Sequence, residues 1–110
     1  MGLKLVERNV VNVKVEGTLA DDNGKPDRFD FTLQCKRMGA DALKDALTDQ
    51  QTLTKVFMAD VTIGWKGVTD ADGNQVGFDS AALNQLLDIP GMAGLAFNAY
   101  LEQQAVKAKN

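Results

Sequence analysis

Valine alternates strictly with polar residues in Val11-Asn12-Val13-Lys14-Val15-Glu16, the period-two pattern of a strand with one buried face. The same period returns in Phe29-Asp30-Phe31-Thr32-Leu33-Gln34-Cys35-Lys36, where Phe29, Phe31, Leu33 and Cys35 share a side. Between the two runs lies Asp21-Asp22-Asn23-Gly24-Lys25-Pro26. Asn-Gly supplies the positive φ values that tight reversals need, and Pro26 stops pairing from continuing through the turn. An antiparallel hairpin with one apolar face is predicted. A hairpin alone is marginal in water, so other elements must cover that face.

After Met38-Gly39 the apolar period changes to that of helices. Leu43 and Leu47 share a face, and Leu53, Val56, Phe57 and Val61 follow the i, i+3, i+4, i+8 rule. Thr48 and Asp49 suit the end of one helix and the cap of the next, which leaves one bent helix or two. Val61, Ile63 and Trp65 then alternate with Thr62, Gly64 and Lys66, predicting a short extended segment. A dense turn signal follows over Val68-Thr69-Asp70-Ala71-Asp72-Gly73-Asn74. Asp79 or Ser80 is a good N-cap for a helix carrying Leu83, Leu86 and Leu87. With Asp79 as cap, Phe78 and Leu83 stand at the spacing of a hydrophobic staple. That helix stops near Asp88-Ile89, and Pro90 suits the first position of a final helix running to about Lys107. Lys107 and Lys109 there oppose the negative pole of the helix dipole. The fold predicted is α+β: an N-terminal antiparallel hairpin with room for a third short strand, packed against three or four helices. No repeat, low-complexity tract or linker divides residues 1–110, so one domain is expected.

Composition narrows the chemistry. Apolar residues at 45% and charged residues at 25% are ordinary for a globular domain and too apolar for intrinsic disorder. The net charge of −3 repels phosphate, which argues against a nucleic-acid binder or a basic membrane-surface module. With no His, the usual general base and the commonest metal ligand are missing. A single Cys rules out a disulfide within the chain and fits a reducing compartment. The start, Met1-Gly2-Leu3-Lys4-Leu5-Val6-Glu7-Arg8, has no apolar core of a secretory signal, and no window is apolar enough to span a bilayer.

Four constellations remain. Asp70, Asp72, Asn74 and Asp79 place oxygens at alternate positions, as a calcium loop does. Counted from Asp70, however, Gln75 stands sixth and Ala81 twelfth, where that loop needs Gly and a bidentate Glu. A solvated turn and a helix cap explain all four, and no metal is expected. Cys35 lies in phase with Phe31 and Leu33, so it reads as a buried structural thiol rather than a nucleophile. Trp65, between Gly64 and Gly67, reads as a core anchor, since neither phosphate-binding glycine pattern is present. Neither catalytic residues nor a cofactor are expected. The final helix is the exception to this blandness. Met92, Leu95, Ala99 and Val106 form one apolar face, while Phe97 and Leu101, with Ala93, Ala105 and Ala108, form a second, nearly opposite one. A surface helix needs one such stripe. Two mean burial on both sides or a face kept for a partner, with Phe97 and Leu101 as the partner-binding candidates.

The string Trp65-Lys66-Gly67-Val68-Thr69-Asp70-Ala71-Asp72-Gly73-Asn74-Gln75-Val76-Gly77-Phe78-Asp79 is followed by Ala82-Leu83, Leu86-Leu87, Asp88-Ile89-Pro90 and a helix holding Ala99-Tyr100-Leu101-Glu102. That order, over roughly the second half of the chain, resembles the tail assembly chaperones of long-tailed bacteriophages and prophages. The resemblance implies a non-catalytic protein of the host bacterial cytoplasm. Such a protein binds the tape-measure protein and shields it until the tail tube polymerises. Tail-tube subunits are second candidates as partners and another copy of this chain a third; nucleic acid and membranes are not expected. The alternative within the same setting is a structural tail component, such as a tail-tube or tail-completion protein.

Overall fold

The computed structural model describes residues 10–48 and 54–104; for residues 46–48 and 104 it describes the backbone alone. Two long strands, β1 (Val10–Ala20) and β2 (Pro26–Lys36), form the hairpin. Helices α1 (Ala40–Thr48) and α2 (Thr54–Val61) follow, then β3 (Thr62–Lys66), α3 (Ser80–Leu87) and α4 (Met92–Gln104). The sheet is antiparallel in the order β1-β2-β3. The predicted α+β architecture is therefore present, with the third strand and four helices. Two helices flank residues 49–53, which lie outside the described residues along with 1–9 and 105–110. The expectations placed on Leu53, Ala105, Val106, Lys107, Ala108 and Lys109 fall there too, and that on Leu47 rests on a side chain outside the description.

Register explains which face is covered. Val11 pairs with Cys35, Val13 with Leu33 and Val15 with Phe31, so these side chains share a face. All six are buried. Asn12, Lys14 and Glu16 stand on the opposite face and are exposed. Helices α2, α3 and α4 close the apolar side, adding Phe57, Met58, Val61, Leu83, Leu87, Met92, Ala96 and Tyr100 to one cluster. Hydrophobic burial of this kind contributes roughly 25 cal/mol per Å² of apolar area. The Tyr100 hydroxyl, on a wholly buried side chain, donates to the Lys36 carbonyl at 2.7 Å, tying α4 to the end of β2. Thr62, the one buried polar residue among those described, donates to the Met58 carbonyl at 2.7 Å.

Several local expectations need correction. The strands run past the predicted ends because backbone pairing continues to the turn, from Gly17–Phe29 to Ala20–Pro26, even where the side-chain alternation fades. Pro26 therefore opens β2 rather than stopping its pairing. Ile63, expected in phase with Trp65, is exposed instead. Gly64 faces Gln34 while Thr62 faces Cys35, so one extra residue on β3 is bulged out, and that residue is Ile63. Val56 is more than half exposed, because α2 turns Phe57, Met58 and Val61 inward. Pro90 does not open the final helix. It sits before Gly91 (φ +83°), and Met92 N–H donates to the Ile89 carbonyl at 2.9 Å, the arrangement of a Pro-Gly turn of type II. Helix α4 begins at Met92, the last residue of that turn.

Candidate functional site

The acidic loop is a backbone device. The Asp70 carboxylate accepts from the amides of Asp72 (2.9 Å) and Asn74 (3.0 Å), and Gly73 at φ +83° donates to the Asp70 carbonyl. The hairpin turn repeats this chemistry. Asp21 accepts from Asn23 and Lys25, and Gly24 stands at φ +78°. In both, an Asp side chain replaces a missing backbone acceptor and Gly takes the left-handed position. Asp79 caps α3 by accepting from the Ala82 amide at 2.7 Å. Asp70 and Asp79 thus have structural partners of their own. Among the described residues, no three carboxylate or thiol groups converge on a common point.

Cys35 is wholly buried, with its sulfur 3.7 Å from the Thr62 hydroxyl. Burial pushes its thiol pKa up, and the Thr62 contact offsets only part of this. A raised thiol pKa disfavours the nucleophilic thiolate, so Cys35 is a packing residue. Trp65 pairs with Leu33 on the covered face and is half-buried. Its indole N–H donates to the Val76 carbonyl at 2.9 Å, and Phe78 packs edge-on to it with ring centres 5.2 Å apart. Trp65 therefore staples the 67–78 excursion to the sheet. Trp65, Asp70, Phe78 and Asp79 of that string thus hold the scaffold through their side chains, while Asp72 and Asn74 contribute backbone amides.

On α4 the two-stripe expectation resolves differently from the wheel. The buried stripe is Met92, Ala96 and Tyr100, one residue per turn. Leu95, grouped with Met92 on one apolar face, is 37% exposed and lies over β1. The close approach depends on Gly17, where a Cβ would stand 3.1 Å from Leu95 Cδ2 and from Phe29 Cζ. Phe97 is half-buried and meets Phe57 edge-on at 5.3 Å, on the side of α4 facing α2. Leu101, also half-buried, lies one turn further along that flank. Phe97 and Leu101 are adjacent, then, but Phe97 already spends part of its ring on the core.

A second uncovered apolar surface lies elsewhere. Past Gly17 the hairpin extends beyond the helices, leaving Leu19 49% exposed and Phe29 half-buried. Opposite them stand the half-buried Leu86 and Ile89 at the α3–α4 corner, with Val68 alongside. The space between forms two adjoining hollows of about 230 and 290 Å³ that share Leu19, Phe29, Ile89 and Met92 as walls. The sequence carried a signal for Leu19, since it continues the odd-numbered series of Val11, Val13 and Val15. It carried none for the corner, whose position depends on how far α4 reaches.

Among the described residues, no helix is long and apolar enough to cross a membrane. No protein-family model matches the chain, and neither the curated proteins nor the solved structures yield a match.

Proposed function

We propose that this protein is a non-catalytic assembly chaperone of phage or prophage tail morphogenesis, acting in the host bacterial cytoplasm on the tape-measure protein. One observation carries the reading: bulky apolar side chains on and beside α4 stay partly uncovered in a small acidic domain. Leu95, Leu19, Phe97 and Leu101 keep surface that could make contact with a partner. Apolar area left open in a domain with a charged remainder suits reversible cover of an amphipathic client. The Trp65–Asp79 string, on which the resemblance to tail assembly chaperones rests, supports the same reading as a scaffold signature.

The test is co-expression with a phage tape-measure protein. A soluble complex is expected, with the client precipitating when the chaperone is omitted. Purified virions should lack the protein. A client equally soluble without it, or its retention in finished tails, would overturn the proposal, and the latter would favour a structural tail component.

A further inference from the structure

The hairpin turn and the loop after β3 are one backbone design used twice. Asp21 N–H donates to the Lys25 carbonyl at 2.8 Å, and Asp70 N–H to the Asn74 carbonyl at 2.9 Å. Gly24 and Gly73 donate to the carbonyls of Asp21 and Asp70, each at 3.0 Å, with φ of +78° and +83°. The Asp21 carboxylate accepts from Asn23 at 2.8 Å and from Lys25 at 2.9 Å; the Asp70 carboxylate accepts from Asp72 at 2.9 Å and from Asn74 at 3.0 Å. Asn23 and Asp72 therefore hold the same place, and their side chains differ as carboxamide and carboxylate. The settings of the two turns differ. The Asp70 turn is closed behind by Val76 N–H on the Val68 carbonyl and stapled by Trp65. The Asp21 turn stands at the hairpin's tip, where residues 18–28 are exposed. Asn23-Gly24 is the one Asn-Gly pair in the chain. Glycine has no side chain to crowd the nitrogen that follows the asparagine, and a Cβ built on Gly24 would meet nothing within 4 Å.

We propose that Asn23 is a site of spontaneous deamidation whose rate is set by the Asp21 carboxylate. In the closed turn the Gly24 N–H is bonded to the Asp21 carbonyl and the Asn23 N–H to the Asp21 carboxylate, so the nitrogen that must react is committed to the turn. An exposed tip opens at low cost. In the open form the Gly24 nitrogen, its proton taken by hydroxide, attacks the side-chain carbonyl carbon of Asn23. The bond from that carbon to the side-chain nitrogen breaks, ammonia leaves and a five-membered succinimide forms. Water then opens the ring at either carbonyl. One opening returns an ordinary peptide with aspartate at 23; the other gives isoaspartate, whose side-chain carbon joins the main chain. The first product converts the turn into the Asp-x-Asp-Gly form that the chain already folds at Asp70–Gly73, so it keeps the hairpin. The second lengthens the main chain inside a turn closed by Asp21 and Lys25, and the pairs beside it, Ala20–Pro26 and Leu19–Asp27, lose their register. This chemistry is independent of which partner the chain binds.

The test is to hold the full chain in mildly alkaline buffer and follow each asparagine by peptide mass spectrometry, with electron-based fragmentation to separate isoaspartate from aspartate. Asn23 should react first, and about tenfold or more faster in urea than in the folded chain. Asp21→Ala should quicken the folded chain's reaction about tenfold, the rise in open turn expected when its two carboxylate bonds are lost. Asp21→Asn, which keeps a side-chain oxygen as acceptor, should restore most of the slow rate. Asn23→Asp should show the wild-type pattern of amide protection through β1 and β2. The isoaspartyl form, separated by ion exchange, should lose protection at Leu19 and Asp21 while Leu33 keeps it. Reaction led by another asparagine, equal rates in urea and buffer, or a rate unchanged or lowered by Asp21→Ala would overturn the proposal. So would an isoaspartyl form with the hairpin fully protected, or an Asn23→Asp variant without it.

Discussion

The two halves of the hairpin follow one sequence pattern and meet opposite fates. Near its base, Val11, Val13, Leu33 and Cys35 lie under the helices and are buried. Beyond Gly17 the same alternation places Leu19 and Phe29 on the same face, yet Leu19 remains half exposed. What differs is cover. α4 runs back along β1 from Leu95, above Gly17, to Tyr100, whose hydroxyl holds the far end of β2. Leu19, beyond that stretch, faces the open hollows beside Ile89 and Leu86 instead of a packed helix. An alternating strand therefore shows which face is meant to be covered, while the extent of the layer above decides how much of it is covered within one chain.

That contrast is open to direct attack, the largest effects lying in the base. Leu33→Ala should cost about 2–5 kcal/mol, because a wholly buried leucine leaves both lost transfer energy and a cavity. Leu19→Ala, in phase with it along the same sheet face, should stay within about 0.5 kcal/mol. Urea unfolding of the pair measures the difference, and similar losses at the two positions would erase the distinction drawn between the halves. Tyr100→Phe should cost about 1–3 kcal/mol by stranding the Lys36 carbonyl. Amide exchange should then quicken at the base of β2 before it changes near the turn. Asp79→Ala, which frees the Ala82 amide, should cost about 1 kcal/mol in thermal unfolding and fray the first turn of α3.

Cys35 gives the gentlest signature. Its thiol pKa is raised in the folded state by burial, so the folded chain holds the proton more tightly than the unfolded chain. The contribution is fully present below the unfolded thiol's pKa and declines as pH rises through and beyond it toward the folded value. Stability should therefore slope downward in the alkaline range, and Cys35→Ala should flatten that slope even though it lowers stability overall. Denaturant titrations across that range measure it. Thiol labelling should likewise require opening of the sheet, since the sulfur is enclosed.

The turns show why some of this was readable. Asp21-Asp22-Asn23-Gly24 and Asp70-Ala71-Asp72-Gly73 announce themselves because an Asp acceptor and a left-handed glycine act within a few residues. Asp79 as a cap and Cys35 as a packed thiol were readable for the same reason: both follow from neighbours along the chain. Ile63 was misplaced because its exposure arises from a bulge between β2 and β3, and a register shift involves two distant segments. The buried stripe of Met92, Ala96 and Tyr100 was not picked out because the wheel gives relative directions on a helix without saying which direction faces the sheet. The candidate surface was half legible. Phe97 and Leu101 came from the wheel, whereas the hollows needed Leu19, Leu86 and Ile89 brought together from three separate elements.

The amino-acid order alone settled the period of each segment, the chemistry of its reversals and the absence of His, since these depend on nearest neighbours and on inventory. Tertiary structure decided which apolar residues disappear and which stay open. Burial is a property of facing surfaces: α4 covers one stretch of the sheet and stops, and no local pattern along either element encodes where that boundary falls.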